Sequence, residues 1–233
     1  MPSITLPVRE VVHATPRTRI ISIDLQDSNF VFAAGQAVMV GLHGSPLRKP
    51  YSIASAPWEV SRTGVMQLLL QVDDIGALDP HLELAAPGTP LDIEGPFGTF
   101  GLPENVVEPL LFIAGGTGIA PLRSMIMEHV ARPGSSPVAV LYSARSAEEL
   151  AFRTELDALL HAGRVRSFFT VTRDDSEAWT GRRGRINEEL LRSALPSPEA
   201  RCLICGPQQL VNDVRIVLLA LGIPPEKILT EHY

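Results

Sequence analysis

LLFIAGGTGIAPLRSMI, residues 110–126, joins an apolar run to a cluster of glycines and then to a helical pattern. Glycine allows positive φ angles and a close approach of the backbone to a ligand. The first turn of the following helix offers free N–H groups and the positive end of the helix dipole, which suit a pyrophosphate. Pro121 fits early in this helix because its missing N–H donor is not needed there. The segment predicts a strand, a phosphate-binding loop and a helix, although a plain strand–helix turn has the same pattern.

Strands alternate with helices in the second half of the sequence. Apolar runs lie at residues 109–114, 138–143, 165–172, 201–205 and 228–231, and helical patterns at residues 121–131, 147–160, 187–195 and 207–221. This alternation predicts βαβ units that build a parallel sheet.

The first half has a β-like rhythm instead. Alternating or apolar runs at residues 18–25, 37–42 and 65–72 are separated by Gly and Pro, which predicts an antiparallel barrel or sandwich. One short helix is expected at residues 78–84. Because the rhythm changes between residues 102 and 108, we divide the chain into domains 1–104 and 105–233.

Composition and charge exclude several classes of protein. The 233 residues carry a net charge of −6, and nonspecific nucleic-acid binding needs a basic face instead. No run of about 18 apolar residues is present, so no membrane span is predicted. The N-terminus has no basic start followed by an apolar run, so we expect no secretory signal and a cytoplasmic location.

The two cysteines, Cys202 and Cys205, are too few for an iron–sulfur cluster, which normally needs four ligands. The six histidines lack ligand spacing, so we expect neither a metal nor a cluster in this chain. Residues three apart on a strand point to opposite faces, which also argues against a disulfide between the two cysteines.

Four segments of the sequence occur in an order that a known family shares. They are GGTGIAP at residues 115–121, LYSARSAEELAFRTEL at 141–156, WTGRRGRI at 179–186 and CGPQQLVNDV at 205–214. Together they resemble the ferredoxin–NADP reductase superfamily over essentially the whole chain, and especially the reductase module of bacterial oxygenase reductases. The resemblance implies an antiparallel β-barrel that binds FAD, followed by an α/β domain that binds NADP or NAD. It further implies hydride transfer from NAD(P)H to FAD and electron transfer to a redox protein such as a ferredoxin or an oxygenase.

The resemblance assigns the dinucleotide site to two motifs. Thr117 and its neighbours Gly115, Gly116, Gly118 and Pro121 are expected at the pyrophosphate.

In the second motif, Cys205 is expected beside the nicotinamide ring, with Gly206 and Pro207 following it. Its position at the end of a strand agrees, because ligands of open α/β sheets bind at the carboxyl edge. On composition alone, a buried packing thiol is the simpler reading of Cys205.

Arginines follow the second and third strands of this half. Arg145 and Arg173 favour the 2′-phosphate of NADPH, since an acidic residue would favour the free hydroxyl of NADH. Glu148 follows closely, and a loop arginine is often only a solvated charge, so NADPH is preferred slightly over NADH. Arg182 and Arg183 are further candidates or part of a solvated loop.

The segment LRKPYSIASAP, residues 47–57, resembles the flavin-binding Arg-x-Tyr-Ser pattern of the family. Tyr51 matches the tyrosine on the flavin face, and Ser52 the serine near flavin N5, with Pro50 preceding them. Lys49 stands where the family has the arginine that holds pyrophosphate, and Arg48 lies one residue earlier. Strand alternation puts Lys49 on the face of Tyr51, so we favour Lys49 slightly and keep both.

Downstream, Gly76, Leu78 and Asp79 resemble the segment that wraps the diphosphate and adenosine of FAD. Relatives carry Ser or Thr at the position of Asp79, where a carboxylate would repel a phosphate. Asp79 is therefore also a candidate helix cap, and FAD is preferred over FMN.

The sequence ends with Glu231 and, two residues later, Tyr233, where relatives often carry an acidic residue followed by an aromatic one. Tyr233 could cover the flavin ring, and a frayed terminus is the alternative. Ser52, Cys205 and Glu231 are the residues expected at the reacting rings, in orienting roles.

Three functions are compatible with these features. The first is a reductase that passes electrons to a redox protein. The second is an NAD(P)H:flavin or quinone reductase with small acceptors, and the third is a nucleotide-binding electron-transfer subunit of a larger complex.

Overall fold

The fold is taken from a computed structural model, which describes residues 3–25, 28–72, 76–78, 80–103 and 105–233. The chain forms two compact units. The first contains Met1–Leu102 and Arg123–Glu128, and the second Pro103–Leu122 and His129–Tyr233. The functional division at residues 104 and 105 stays a prediction. No helix among the described residues is both long and apolar enough to cross a bilayer.

The first unit is built on six antiparallel strands. They are β1 (Ser3–Thr15), β2 (Thr18–Asp24), β3 (Ala37–Leu42), β4 (Lys49–Ser52), β5 (Val65–Gln71) and β6 (Pro90–Phe97). Their order in the sheet is β4-β3-β6-β1-β2-β5. A bridge between Ile53 and Leu68 connects the two edge strands, which closes the sheet as predicted. Alternate side chains of these strands, such as Ile21, Ile23 and Ile93, fill the interior.

Two short elements of this unit differ from the prediction. Helix α1 (Pro57–Thr63) was not anticipated; Pro57 occupies its first position, and the Glu59 carboxylate accepts the Ala56 N–H at 2.8 Å. The helix expected at residues 78–84 is only a 3-10 turn at Leu82–Leu84.

A charged cluster lies on β6 of the barrel. Asp92, whose side chain is 10% exposed, has its Oδ1 2.7 Å from His43 Nδ1 and its Oδ2 2.8 Å from Arg48 Nη2. Thr5 Oγ1 also donates to Asp92 Oδ1 at 2.7 Å. The hydrogen bond with His43, followed by those from Thr5 and the Gly44 N–H, outweighs burial and lowers the pKa of Asp92 to about 2.

This depressed pKa predicts an acid-sensitive contribution to stability. The contribution is fully present above the unfolded pKa of about 4 and is lost as the pH falls through about 2. We expect Asp92→Asn to lower the free energy of unfolding by about 2 kcal/mol at pH 7, and by much less at pH 2. Urea titrations between pH 2 and pH 7 measure this, with the exposed Asp175→Asn as the matched control. Parallel pH profiles for wild type and Asp92→Asn would contradict it.

The second unit is a parallel six-stranded sheet, as predicted. Its strands are β7 (Leu110–Gly115), β8 (Val138–Ala144), β9 (Arg166–Val171), β10 (Arg182–Arg183), β11 (Arg201–Gly206) and β12 (Ile228–His232). The order is β10-β9-β8-β7-β11-β12, so the direction of strand addition reverses between β7 and β11. Ligands of open α/β sheets bind at such a switch point, outside the carboxyl ends of the strands.

Four helices accompany this sheet: α2 (Ile119–Val130), α3 (Arg153–His161), α4 (Glu188–Ala194) and α5 (Gln208–Ala220). Every residue of β7 and β8 is buried, which is expected of central strands in a covered parallel sheet. The helix predicted at residues 147–160 is wrong in its first part. There a 3-10 turn at Ala147–Glu149 precedes α3, and Phe152 adopts the left-handed region at φ 58°.

Candidate active site

The glycine loop lies between β7 and α2, and its residues Gly116–Gly118 form a 3-10 turn. A Cβ built on Gly118 would lie 2.2 Å from the carbonyl oxygen of Cys205. Gly118 is therefore required because the loop backbone touches the end of β11. Gly116 adopts φ +53°, which favours glycine, and Gly116 and Thr117 stay partly exposed.

The Cys-Gly-Pro motif reaches the same place from β11. In the sheet register Cys205 pairs with Ala114, directly before the loop. A Cβ on Gly206 would lie 3.1 Å from the Gly115 backbone, and a Cβ on Gly115 would lie 3.0 Å from Pro207 Cδ. Pro207 immediately precedes α5. Two motifs about 90 residues apart in sequence thus share one backbone junction at the carboxyl edge of the sheet.

The third contribution comes from β12, whose Glu231 pairs in register with Cys205. The Cys205 thiol donates to Glu231 Oε2 across 3.9 Å. Burial, reinforced by the Glu231 charge, raises the pKa of Cys205 well above its usual range, and burial also raises the pKa of Glu231. Cys205 is thus a protonated thiol at neutral pH, suited to packing and orientation but not to nucleophilic or disulfide chemistry.

Cys202 and Cys205 are both free thiols, as strand alternation predicts for two residues on opposite faces. Burial raises the pKa of Cys202 to about 12, so it too stays protonated.

Tyr233 lies on the same loop, where its hydroxyl donates to the Gly115 carbonyl at 2.8 Å. Pro121 is buried in the first turn of α2. The three motifs singled out in this half of the sequence therefore converge on one loop.

Arg145 and Arg173 follow β8 and β9 and lie side by side. The Arg173 N–H donates to the Arg145 carbonyl at 2.7 Å, and both side chains are exposed. The Asp174 carboxylate ties the two strand ends together by accepting the Ala147 N–H at 2.9 Å. Two exposed arginines whose backbones are joined by a hydrogen bond can offer their guanidinium groups to one phosphate.

Arg183 has a local structural role instead. Its Nε donates to the Asp174 carbonyl at 3.0 Å, and its Nη2 donates to the carbonyls of Ser176 and Trp179 at 2.7 and 2.6 Å. Arg183 therefore stabilises the conformation of its own loop. Arg182 forms an exposed ion pair with Glu189 at 3.4 Å.

The proposed flavin strand is β4, at one edge of the sheet in the first unit. It pairs with β3, where Ser52 faces Ala37 and Tyr51 faces Val38. Tyr51 is half-buried and packs against the barrel core, whereas Lys49 and Pro50 are exposed.

Arg48 is held by carboxylates of β6. Its Nη2 lies 2.8 Å from Asp92 Oδ2, its Nε lies 3.1 Å from Glu94 Oε1, and its Nη1 donates to the Ser45 carbonyl at 2.8 Å. Asp92 and Glu94 alternate along β6 with the core residues Leu91 and Ile93, so these carboxylates hold Arg48 on the outer face of the barrel. No sequence pattern indicated these partners, because they follow from the pairing of β3 with β6.

The segment expected at the adenosine end of FAD is described only in part. Gly76 has φ +90°, and the Leu78 side chain belongs to the barrel core. The Leu78 N–H donates to the Glu83 carboxylate at 2.9 Å, which ties this segment to the 3-10 turn. Asp79 itself lies outside the described residues.

The residues present fit the two implied groups. In the second unit, a partly exposed loop without Cβ atoms precedes the 12-residue helix α2, an arrangement that binds phosphate. In the first unit, β4 combines an exposed cation, a half-buried aromatic ring and a hydroxyl, which suit a flavin nucleotide.

Comparison with known proteins agrees with this division. Residues 5–101 match the oxidoreductase FAD-binding domain family, and residues 112–215 match the oxidoreductase NAD-binding domain family. The chain is 33% identical to ferredoxin–NADP reductase B of Sorangium cellulosum, over 94% of this chain and 93% of that protein. It is 28% identical to NADH-cytochrome b5 reductase 1 of Meyerozyma guilliermondii, over 82% and 68% of the two chains. The structure of the Amycolatopsis cytochrome P450 reductase GcoB superposes with a TM-score of 0.84 at 26% identity, covering 99% of this chain and 70% of that one.

Fold, site and relatives define an oxidoreductase with an FAD-binding and an NAD-binding domain. The chain belongs to the ferredoxin–NADP reductase superfamily, as its sequence motifs imply.

Proposed function

We propose that this NAD(P)H-dependent flavin oxidoreductase prefers NADPH over NADH and passes its electrons to a separate redox protein. The observation that carries the coenzyme preference is the adjacency of Arg145 and Arg173 at the ends of β8 and β9. A guanidinium group forms charge-assisted hydrogen bonds with a phosphate, and these are stronger than its hydrogen bonds with a neutral ribose hydroxyl.

The bound cofactors supply the hydride-transfer chemistry, and the protein supplies binding and orientation. The Gly115–Gly118 loop and the first turn of α2 bind the pyrophosphate through backbone N–H groups. Cys205 and Glu231 form one side of the nicotinamide position and orient the ring. Their raised pKa values keep the thiol protonated, so it contributes shape and a weak hydrogen bond without competing nucleophilic chemistry. Tyr51 and Ser52 orient the flavin ring, with Lys49 at its phosphates.

A protein acceptor is supported by the relatives. The reductases reported above are named for a ferredoxin, a cytochrome b5 and a cytochrome P450, all of which are redox proteins. Their names also differ in coenzyme, NADP in one and NADH in another, so the coenzyme must be decided by the residues of this chain.

The test is anaerobic mixing of the purified, FAD-loaded chain with NADPH and then with NADH, followed by visible flavin absorbance. We expect faster bleaching by NADPH at equal subsaturating concentrations, and reoxidation by a ferredoxin or cytochrome at a higher rate than by free flavin or quinone. Equal or faster bleaching by NADH would contradict the coenzyme preference. Bleaching by neither would leave only the role of a nucleotide-binding subunit.

A reductase with small-molecule acceptors is the second candidate function, and one observation favours it. The carboxylates of Asp92 and Glu94 engage Arg48, and the exposed Lys49 stands at the position where the family has the arginine of the flavin pyrophosphate. A lysine lacks the bidentate fork of arginine, so FAD would be held less tightly and could exchange with free flavin. Turnover on free flavin or quinone that exceeds turnover on every redox protein tested would establish this alternative.

The different roles proposed for Lys49 and Arg48 are testable. We expect Lys49→Ala to weaken FAD binding about tenfold, the loss of one charge-assisted contact, while Arg48→Ala changes it less than threefold. Fluorescence titration of the apoprotein with FAD measures both dissociation constants. Arg48→Ala should instead lower the melting temperature, because it leaves Asp92 with one fewer cation. A larger loss of FAD affinity from Arg48→Ala than from Lys49→Ala would reverse the assignment.

A further inference from the structure

Two tyrosine hydroxyls donate to successive carbonyls of the glycine loop. Tyr142, in β8, is fully buried and donates to the Gly116 carbonyl at 3.1 Å. Tyr233, which follows β12, is 57% exposed and donates to the Gly115 carbonyl at 2.8 Å. The Tyr142 contact is therefore part of the core, whereas more than half of the Tyr233 surface remains exposed although its hydroxyl is bound to the loop.

The Tyr233 hydroxyl also meets the groups expected to receive a phosphate. It lies 3.0 Å from the position that a Cβ of Gly116 would take, directly over the loop. Burial raises the pKa of Tyr233, and its neighbours Thr117 and Gly118 oppose that rise. Together with the bond to the Gly115 carbonyl and the approach to Gly116, this places the hydroxyl on the loop that precedes α2.

We propose that the Tyr233 hydroxyl is an internal occupant of the pyrophosphate loop, which the incoming dinucleotide displaces, and that Tyr142 holds the loop in its binding shape. This inference rests on the proposed role of the loop in binding NAD(P)H. It adds that Tyr233 competes with the pyrophosphate, not only with a ring of the cofactors.

The exchange is physically favourable. Charge-assisted hydrogen bonds from backbone N–H groups to a pyrophosphate are stronger than bonds from the same groups to a neutral hydroxyl. The start of the 12-residue helix α2 also favours an anion over a neutral oxygen. Only the molecules in which Tyr233 has left the loop are competent to bind the dinucleotide. The apparent dissociation constant is therefore the intrinsic one divided by the fraction of such molecules.

Two conservative variants should have opposite effects. Tyr233→Phe keeps the aromatic ring and removes the occupant, so it should tighten pyrophosphate binding about threefold. Tyr142→Phe keeps the packing and leaves the Gly116 carbonyl without this donor, so it should weaken binding about fivefold. A purely structural role of both hydroxyls predicts weaker binding for both variants.

The experiment is calorimetric titration of the FAD-loaded full chain with NADP⁺ and with three smaller probes. Of the smaller probes, ADP-ribose and its 2′-phosphate contain the pyrophosphate but no nicotinamide, whereas adenosine 2′-monophosphate has no phosphate at its 5′ position. We expect Tyr233→Phe to tighten binding of the first two and to leave the third within about 1.5-fold. Melting temperatures check that Tyr142→Phe is folded, and the Tyr233 result does not depend on it.

Tighter binding of NADP⁺ alone, with ADP-ribose unchanged, would overturn the inference, because Tyr233 would then oppose only the nicotinamide. Unchanged or weaker binding of all probes to Tyr233→Phe would overturn it as well. If wild type binds neither NADP⁺ nor ADP-ribose, the proposed role of the loop fails instead, so the two failures are distinguishable.

Discussion

Gly118→Ala should reduce the rate of flavin reduction by NADPH at least about 100-fold, because a displacement of roughly 1 Å in a binding site can cost that much. The added Cβ would lie 2.2 Å from the Cys205 carbonyl oxygen, 2.4 Å from its carbon and 2.7 Å from the Gly206 nitrogen. All three are backbone atoms of β11 and its end, so no rotation of a side chain relieves the clash. The loop must move away from the strand, which misplaces its N–H groups and Cys205 together. We also expect a loss of about 3 kcal/mol in unfolding free energy, the upper range for overpacking.

Stopped-flow reduction and urea unfolding measure the two effects. Gly222→Ala is the control, because its Cβ meets nothing within 4 Å and only its φ of +88° is strained. In Gly206→Ala the added Cβ would meet the Gly115 backbone at 3.1 Å, so its losses in rate and stability should lie between those of Gly118→Ala and Gly222→Ala. This variant replaces Gly118→Ala in the test if Gly118→Ala does not fold. Near-wild-type reduction by Gly118→Ala would mean that the loop does not position the dinucleotide.

The double variant Arg145→Ala, Arg173→Ala should raise the KM for NADPH about 100-fold and leave the KM for NADH within about twofold. Each hydrogen bond to a charged group contributes about 1.5–3 kcal/mol when it is shielded, and two contacts near the lower limit give this factor at partly exposed positions. Neither residue has a proposed role at the flavin, so kcat with saturating NADPH should change little.

Steady-state kinetics with both coenzymes decide this prediction. Arg215→Ala, which removes one exposed guanidinium from α5, controls for the loss of a positive charge at an unrelated surface position. Replacement of both arginines by lysine should recover part of the loss, since a point charge remains without the fork. Equal losses with NADPH and NADH would place the arginines at the shared pyrophosphate instead of the 2′-phosphate.

The sequence predicts the elements of the second unit well because their signals are local. An apolar run followed by glycines and a proline defines β7, the loop and α2 within 17 letters. The junction of Gly118 with Cys205 is less accessible to such reasoning, since it depends on β7 and β11 being neighbours. Only the family resemblance indicated that the two motifs belong to one site.

Side-chain partners were not predictable where they depend on sheet register or loop geometry. Arg48 is a flavin-phosphate candidate from the sequence alone, whereas its two carboxylate partners follow only from the pairing of β3 with β6. Arg183 could be taken for a phosphate ligand from its charge, yet the carbonyls of its own loop accept its donors. The sequence did not indicate a role for Tyr142, because a tyrosine in an apolar strand is expected to be an ordinary core residue. Its contact with the Gly116 carbonyl depends on the direction of its hydroxyl, which only the structure shows.

Short elements were also missed for a physical reason. Helix α1 has seven residues and owes its start to the Glu59 carboxylate and its end to Gly64 in the left-handed region, so no amphipathic period could indicate it. Strand β10 has two residues, fewer than any alternation needs.

The link between Arg145 and Arg173 runs through the backbone alone, from an N–H to a carbonyl. Any residue but proline at position 173 can make the same bond, so side chains at both positions are free to vary without disturbing the strand ends. On the role proposed for Arg145 and Arg173, one or two codon changes would therefore retune coenzyme choice. Because the relatives include reductases named for NADP and for NADH, these two positions are where we expect the difference between them to be found.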